Sequence, residues 1–226
     1  MRICVVGGRG YIGSNLVPYL QSKGHEVGHE FPEEIDCIIN CAQHGSKPGQ
    51  DNIRRMVGDN ALLPMQILGF KYKKLIHLSS SSEIFQPHTA YARTKSLASD
   101  YLRGKATLCY IYTAWGGINQ HEHTFMAALL KAKRTNQVFS VSTPFATRDF
   151  VHIKHICRGI EELIAKPIGE YHFGIGKARR MIDIADLAKV DYTSPHSNFI
   201  QWDWKAANPY FSDTFEEDLK GELCAL

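Results

Sequence analysis

The chain has 226 residues, of which 44% are hydrophobic, and a formal net charge of +3 at pH 7. This length allows one complete buried core, and the small charge without a basic run excludes the usual footprint of a nucleic-acid-binding protein. No apolar stretch approaches the ~18 residues that a membrane span needs. A strand already begins at residue 2, which leaves no room for a signal peptide. We therefore expect a cytoplasmic protein with neither a nucleic-acid nor a membrane partner.

Strand-like apolar runs alternate with segments of helical periodicity, which is the pattern of a parallel sheet with helices on both faces. The predicted strands of this sheet are 2–6, 25–29, 37–41, 74–78 and 107–112. The predicted helices are 11–23, 53–69, 91–102, 124–133, 153–165 and 182–189, with a short strand at 170–173. We predict an α/β, Rossmann-type doubly wound fold. Residues 1–115 would form the dinucleotide-binding domain, and 116–226 mostly a substrate-binding cap with room for segments to return to the sheet.

The connection between the second and third predicted strands is unusually short, covering residues 30–36. A crossover between adjacent parallel strands needs roughly a dozen residues or more. In a sheet of order 3-2-1-4-5-6, the second and fourth strands flank the first, so the third strand and its helix can be missing without leaving a gap. We predict that 25–29 is an edge strand and that a short extended link joins it to 37–41.

A glycine-rich turn separates the first predicted strand from the first helix, in the pattern Gly-x-x-Gly-x-x-Gly. Glycines permit a tight turn and a close approach of the backbone to a pyrophosphate, and the N–H groups of the following helix point at the anion. The position between a strand and a helix predicts a dinucleotide site. The predicted cofactor-binding residues of this segment are Gly7, Arg9, Gly10, Tyr11, Ile12 and Gly13.

Two residues indicate opposite preferences for the 2′ position of the cofactor. Glu30 is the acidic residue nearest to the position that suits the free ribose hydroxyls of NAD, roughly 20 residues after the glycines. Arg9 lies inside the loop, and its guanidinium could pair with the 2′-phosphate of NADP. The balance favours NADP, with NAD as the alternative.

Tyr91 and Lys95 are four residues apart, so on a helix their side chains lie on one face. A phenol with an unperturbed pKa of ~10 is a poor acid-base catalyst at neutral pH, and a neighbouring ammonium lowers that pKa. The lysine could also hold the nicotinamide ribose. A run of four serines, 79–82, ends the preceding strand and offers a hydroxyl to the reacting oxygen. These residues together predict hydride transfer, in which Tyr91 supplies or removes the proton.

In combination, the motifs resemble the extended branch of the short-chain dehydrogenase/reductase family, the NAD-dependent epimerase/dehydratase group that acts on nucleotide-diphosphate sugars. The resemblance covers about residues 1–190, and the segments that carry it are 7–13, 36–42, Asn60, 91–95, 147–153 and 169–176. It implies that Ser81 completes a catalytic triad with Tyr91 and Lys95. It also adds further residues to two sites: Ala42, Asn60, Tyr91 and Lys95 to the cofactor site, and Ser81, Ser82, Glu83 and Arg148 to the substrate site, where the arginine grips the diphosphate.

The residues after the triad serine indicate which reaction to expect. Family members that eliminate water carry an Asp-Glu pair there, whereas this chain has Ser82-Glu83, which resembles the nucleotide-sugar decarboxylases. We therefore predict a 4-keto reductase or an epimerase that transfers hydride at C4. A decarboxylase or dehydratase is one alternative. A non-catalytic cofactor-binding sensor or scaffold is the other, because only ten positions separate Ser81 from Tyr91 where the family usually has a longer loop.

Two further expectations concern assembly and metals. The resemblance implies a homodimer formed through the helices 53–69 and 91–102. The histidines and the six cysteines lack a metal-ligand spacing, so we predict neither a metal site nor a disulfide.

Overall fold

A computed structural model describes residues 1–28, 34–46, 49–194 and 204–225. Its contacts divide the chain into two compact units, Met1–Ile111 with Ile156–His172, and Tyr112–His155 with Phe173–Leu226. The predicted domain boundary at residue 115 stays a prediction. No helix in the described part of the chain combines the length and the apolarity that a bilayer crossing requires.

The first unit contains a six-stranded sheet of order β2-β1-β3-β4-β5-β9. Its strands are β1 (Arg2–Val6), β2 (Glu26–Gly28), β3 (Ile35–Asn40), β4 (Tyr72–Ser80), β5 (Thr107–Ile111) and β9 (Glu170–Phe173). The four successive pairs from β2 to β5 are all parallel. The predicted α/β, Rossmann-type fold is therefore confirmed.

Strands β2 and β3 lie on opposite sides of β1, as the short connection between them predicted. Ile3 is paired with Val27 on one side and with Cys37 on the other. Strand β3 begins two residues earlier than predicted, because Ile35 is buried and pairs with Tyr72 of β4. The link itself, including His29 and Glu30, lies outside the described residues.

The helices of this unit cover the sheet and end near the predicted positions. They are α1 (Tyr11–Ser22), α2 (Ile53–Met56), α3 (Leu63–Ile67), α4 (Ser82–Phe85) and α5 (Ala90–Leu102). The predicted helix 53–69 is interrupted, because a π-helical turn, Val57–Leu62, joins α2 to α3. Strand β3 is buried almost throughout, as expected of a parallel strand that is covered on both faces.

The second unit has a three-stranded sheet of order β10-β8-β6 and a two-stranded ribbon of β7 and β11. Its strands are β6 (Thr113–Trp115), β7 (Phe139–Ser140), β8 (Thr147–His152), β10 (Ala178–Arg180) and β11 (Tyr192–Thr193). Its helices are α6 (Phe125–Thr135), α8 (Met181–Ala188) and α9 (Phe215–Cys224), and α7 (Ile153–Ala165) contributes residues to both units. The core contains Trp115, Phe150 and Phe215, whose ring centroids are 5.3 to 5.8 Å apart where they meet.

Candidate active site

The glycine-rich turn is packed so tightly that side chains would not fit. Gly7 has φ of +79°, in the left-handed region, and a Cβ there would lie 2.6 Å from the backbone N of Ala42. A Cβ on Gly13 would lie 2.4 Å from the carbonyl oxygen of Gly7, to which Gly10 donates its N–H at 2.9 Å. The turn leads directly into α1, which carries no acidic residue in its first turn. This bare backbone before a helix N-terminus fits the pyrophosphate of a dinucleotide.

The other predicted cofactor residues occupy different surroundings. Arg9 is exposed, whereas Tyr11 and Ile12 are partly buried at the start of α1. Ala42 lies against Gly7, as the close backbone approach requires. Glu30 is outside the described residues, so its predicted contact with the ribose stays untested.

Asn60 lies in the π-helical turn, and its buried amide joins three parts of the first unit. Its Oδ1 accepts from the N–H of His44 at 2.7 Å, and its Nδ2 donates to the His44 carbonyl at 2.8 Å and to Thr94 Oγ1 at 3.0 Å. Both N–H donors of the amide are therefore used within the protein. Asn60 fixes the loop after β3 to helix α5, while its predicted cofactor contact stays a prediction.

Helix α5 carries both Tyr91 and Lys95, and its start is capped by Thr89, whose Oγ1 accepts from the N–H of Ala92 at 3.2 Å. Tyr91 is partly buried, and its phenol donates to Gln43 Oε1 at 2.8 Å. Lys95 is completely buried, and its Nζ donates to the carbonyl oxygen of Leu78 at 2.5 Å. The two polar ends thus have different partners in this structure.

The serine run brings two hydroxyls to this place. Ser80, the last residue of β4, hydrogen-bonds the side chain of Tyr91, and this bond lowers the pKa of the phenol. Ser81 is buried at the start of α4, and its N–H donates to the carbonyl of Ile111 at 3.0 Å. The assignment of Ser81 to the triad stays a prediction, and Ser80 is an additional candidate for the hydroxyl that binds the reacting oxygen.

Burial shifts the pKa of both Tyr91 and Lys95. It raises the pKa of Tyr91 strongly, the negative charge of Glu83 raises it further, and the hydrogen bond from Ser80 lowers it only in part. Burial lowers the pKa of Lys95 to about 8, although the negative charge of Glu83 acts in the opposite direction. The phenol is therefore neutral at physiological pH in the free protein, contrary to the lowering of its pKa that the spacing to Lys95 predicted.

Ser82 and Glu83 hydrogen-bond to neighbouring residues of the protein. Glu83 accepts from the N–H of Ser80 at 2.9 Å and from the side chain of Ser99, and burial raises its carboxyl pKa. Ser82 is partly buried and donates its N–H to Ser80 Oγ at 3.1 Å. A contact of either residue with substrate stays a prediction.

Arg148 belongs to β8 of the second unit. Its guanidinium stacks on the ring of Trp204 at 3.9 Å and donates to the carbonyl of Thr147 at 2.7 Å, and burial lowers its pKa to about 10. The neighbouring Asp149 accepts from three backbone N–H groups of its own unit, at 2.9 to 3.0 Å. The contact of Arg148 with a diphosphate stays a prediction.

The sequence gives little warning of three residues at this site. Gln43 follows the end of β3 by three residues, which is where the loops of an open α/β sheet reach a ligand, and this position was the available signal. His77 and Asn40 are buried in strands β4 and β3, where the sequence around each is mostly apolar. Gln43 contacts Tyr91, His77 contacts Lys95 and Asn40 contacts His77, and these contacts exist only in the folded chain.

Comparisons with known proteins agree with this geometry. Residues 3–29, which contain β1, the glycine turn and α1, match the NAD dependent epimerase/dehydratase family. No curated protein sequence matches the chain significantly. Many solved structures do resemble it, and three of them illustrate the range.

The UDP-N-acetylglucosamine 4-epimerase of Methanobrevibacter ruminantium M1, solved with UDP-N-acetylmuramic acid, has a TM-score of 0.78 at 17% identity, covering 99% of this chain and 97% of that one. The UDP-glucuronic acid 4-epimerase of Bacillus cereus, solved with UDP-glucuronic acid and NAD, has 0.78 at 18%, covering 99% and 98%. The dTDP-glucose 4,6-dehydratase of Bacillus anthracis, solved with NAD, has 0.76 at 15%, covering 99% and 96%.

Identities this low establish a common fold. Two of the three named structures contain NAD, so they lend no support to the preference for NADP. The resemblance predicted from the motifs is therefore confirmed: residues 3–29 match the NAD-dependent epimerase/dehydratase family, and the chain has the fold of solved nucleotide-sugar epimerases and dehydratases.

Proposed function

We propose that the protein is a nicotinamide-dependent enzyme that modifies a nucleotide-diphosphate sugar by hydride transfer at C4. One set of contacts supports this proposal above all. The backbone of Ala42 lies against Gly7 of the cofactor turn, and the next residue, Gln43, accepts the hydrogen bond of Tyr91 at 2.8 Å. The candidate proton donor is thus bonded to the loop that borders the predicted cofactor turn, as carbonyl reduction by a bound nicotinamide requires.

The residues have distinct roles in the proposed reaction. Nicotinamide supplies or accepts the hydride when it is bound. Tyr91 transfers its phenolic proton to or from the oxygen at C4, after exchanging the Gln43 carbonyl for that oxygen. The hydroxyl of Ser81, or of its neighbour Ser80, donates a hydrogen bond to the same oxygen. Lys95 holds the cofactor ribose and, in its charged form, favours the phenolate of Tyr91.

The state of Tyr91 favours reduction of a 4-keto sugar over the other reactions. The phenol carries its proton and donates it to Gln43 Oε1, so the free site holds the proton that reduction of a ketone takes up. Elimination of water needs an additional acid and base, but the Glu83 carboxylate is occupied by Ser80 and Ser99. An epimerase, which oxidises and then reduces C4, remains the second candidate, since its final step uses the same proton donor.

The choice between NAD and NADP rests on Arg9. Its side chain is exposed in the turn, and a guanidinium there could pair with a 2′-phosphate. We expect NADP to lose affinity in Arg9→Ala while the affinity for NAD stays the same. Equal effects on both cofactors would remove the reason for preferring NADP. Cofactor fluorescence titration measures both affinities.

The function itself is tested with a panel of nucleotide sugars and 4-keto nucleotide sugars. Consumption of reduced cofactor with a 4-keto sugar identifies a reductase, whereas interconversion by protein that retains its cofactor identifies an epimerase. Tyr91→Phe should abolish either activity, and Tyr101→Phe, on the exposed face of the same helix, should keep it. Full activity of Tyr91→Phe would refute the proposed role. Tight cofactor binding without turnover of any sugar in the panel would favour a sensor or scaffold.

A further inference from the structure

Three fully buried polar side chains from three different elements form a connected row that ends at Lys95. They are Asn40 at the end of β3, His77 in β4 and Lys95 in α5. Asn40 Nδ2 lies 3.1 Å from His77 Nδ1, and His77 Nε2 lies 3.4 Å from Lys95 Nζ. Buried polar groups of this kind have defined donor and acceptor roles, because water is not present to replace a wrong partner.

The first contact fixes the tautomer of the imidazole. Asn40 Oδ1 accepts from the N–H of Ala42 at 3.1 Å, so the amide cannot turn over without losing this bond. The Nδ2 end, which only donates, must therefore face His77, and Nδ1 of the ring must accept. Burial keeps the pKa of His77 well below its ordinary value, so the ring is neutral and carries its single proton on Nε2.

The Nε2–H group then points at Lys95 Nζ, which already donates to the carbonyl of Leu78 at 2.5 Å. An ammonium has only donors and would place two N–H groups against each other, whereas a neutral amine offers its lone pair. We propose that His77 is a positioning residue that favours the neutral amine form of Lys95, through a tautomer that Asn40 fixes. The proposal concerns the lysine of the proposed catalytic set, so its meaning for catalysis rests on the proposed function.

A neighbouring charge acts against this preference. The negative charge of Glu83, at the start of α4, favours the ammonium. Burial raises the pKa of the Cys41 thiol, so this neighbour after β3 is uncharged, and Tyr91 lies one turn away on the same helix. Burial outweighs the charge of Glu83, since the pKa of Lys95 is lowered to about 8. A misdirected N–H donor beside Lys95 therefore adds to the effect of burial and shifts the balance toward the amine.

The arrangement has a consequence for the proposed reaction. A neutral amine that accepts from His77 and donates to Leu78 keeps one N–H for a ribose hydroxyl, but it exerts little attraction on a phenolate at Tyr91. Lys95 can gain a proton without conflict only by moving its Nζ away from His77. Charging of the lysine and activation of the tyrosine are therefore coupled to a displacement of the lysine from the imidazole.

The tautomer is measured directly by long-range ¹H–¹⁵N correlation of the imidazole nitrogens in the free protein, with His77→Gln assigning the signal. We expect an unprotonated Nδ1 and a protonated Nε2, and a protonated Nδ1 would overturn the proposal. The spectrum that decides the tautomer is recorded on the unaltered protein, without substrate. A protein that shows the expected tautomer but no sugar-nucleotide activity would refute only the proposed function.

The link to Lys95 is measured from the pH titration of its ¹³Cε and ¹⁵Nζ signals. In Asn40→Asp the carboxylate would accept a hydrogen bond from Nδ1–H and turn an unprotonated Nε2 toward Lys95, which should shift the lysine equilibrium about tenfold or more toward the ammonium. The added carboxylate attracts the ammonium by itself, so His77→Phe with and without Asn40→Asp isolates that contribution. A shift that is equally large in the His77→Phe background would overturn the role of the imidazole.

Discussion

The buried lysine should make the stability of the protein depend on pH in a predictable window. Lys95 has a pKa of about 8 in the folded protein against an ordinary value of 10.5. Between these values the unfolded chain binds more protons than the folded one, so the free energy of unfolding rises with pH. Each pKa unit corresponds to about 1.4 kcal/mol, and the full window is therefore worth about 3 kcal/mol. The stabilisation is complete above pH 10.5 and absent below pH 8.

Lys95→Met removes this dependence and keeps much of the side-chain volume. We expect the variant to gain stability relative to the wild type at pH 7, and this advantage to shrink by about 3 kcal/mol by pH 10.5. Urea unfolding followed by tryptophan fluorescence at several pH values measures the difference. Lys71→Met, which alters an exposed lysine, corrects for general effects of charge. Parallel stability curves for the wild type and Lys95→Met would refute the idea that burial depresses the lysine pKa.

Three further substitutions test the remaining parts of the site. Gly13→Ala should abolish cofactor binding measured by fluorescence, because its Cβ would overlap the Gly7 carbonyl, whereas Gly28→Ala has open space and should bind normally. Gln43→Ala should reduce kcat/KM for ketone reduction about threefold to tenfold, because the Tyr91 phenol would no longer be oriented before substrate binds, and an unchanged value would show that the contact is incidental. Asn60→Ala should cost about 2–4 kcal/mol in urea unfolding, because it strands several buried partners, and a cost below about 1 kcal/mol would contradict the bonding described.

Local patterns predicted the first unit well. The apolar run of β1, the glycine turn and the periodicity of α1 occur within the first 22 residues, and each is determined by neighbouring residues. The replacement of the third strand by a short link was predicted from the length of that connection alone, because a link of that size cannot cross over a sheet. Such features depend on short stretches of sequence, which is why they could be predicted.

The second unit was harder to predict because its strands are short and are formed by distant pairings. Strand β6 has three residues and is parallel to β8, more than thirty positions later. Strand β10 has three residues and holds Arg179 opposite Arg148. Two or three residues cannot display an alternating pattern, so only the folded chain reveals these elements.

The π-helical turn has a similar cause. The helical periodicity of 53–69 suggested a continuous helix, but the side chain of Asn60 holds both backbone groups of His44. A widened turn lets this buried amide reach the loop after β3, which is a bond between residues sixteen positions apart. Single π turns of this kind are common at functional sites.

The candidate site shows the limit of what the spacing of residues along the chain can predict. Tyr91 and Lys95 share one face of α5, as a separation of four residues predicts, yet the phenol is bonded to Gln43 and the lysine to Leu78. Spacing places the Cβ atoms together, but long side chains end where other elements offer partners. Burial and the contact with His77 then influence the protonation of Lys95, and His77 lies in β4, a strand that precedes the helix. The motif therefore predicts which residues share a helix face, whereas the protonation and bonding of their side chains depend on neighbours that only the fold supplies.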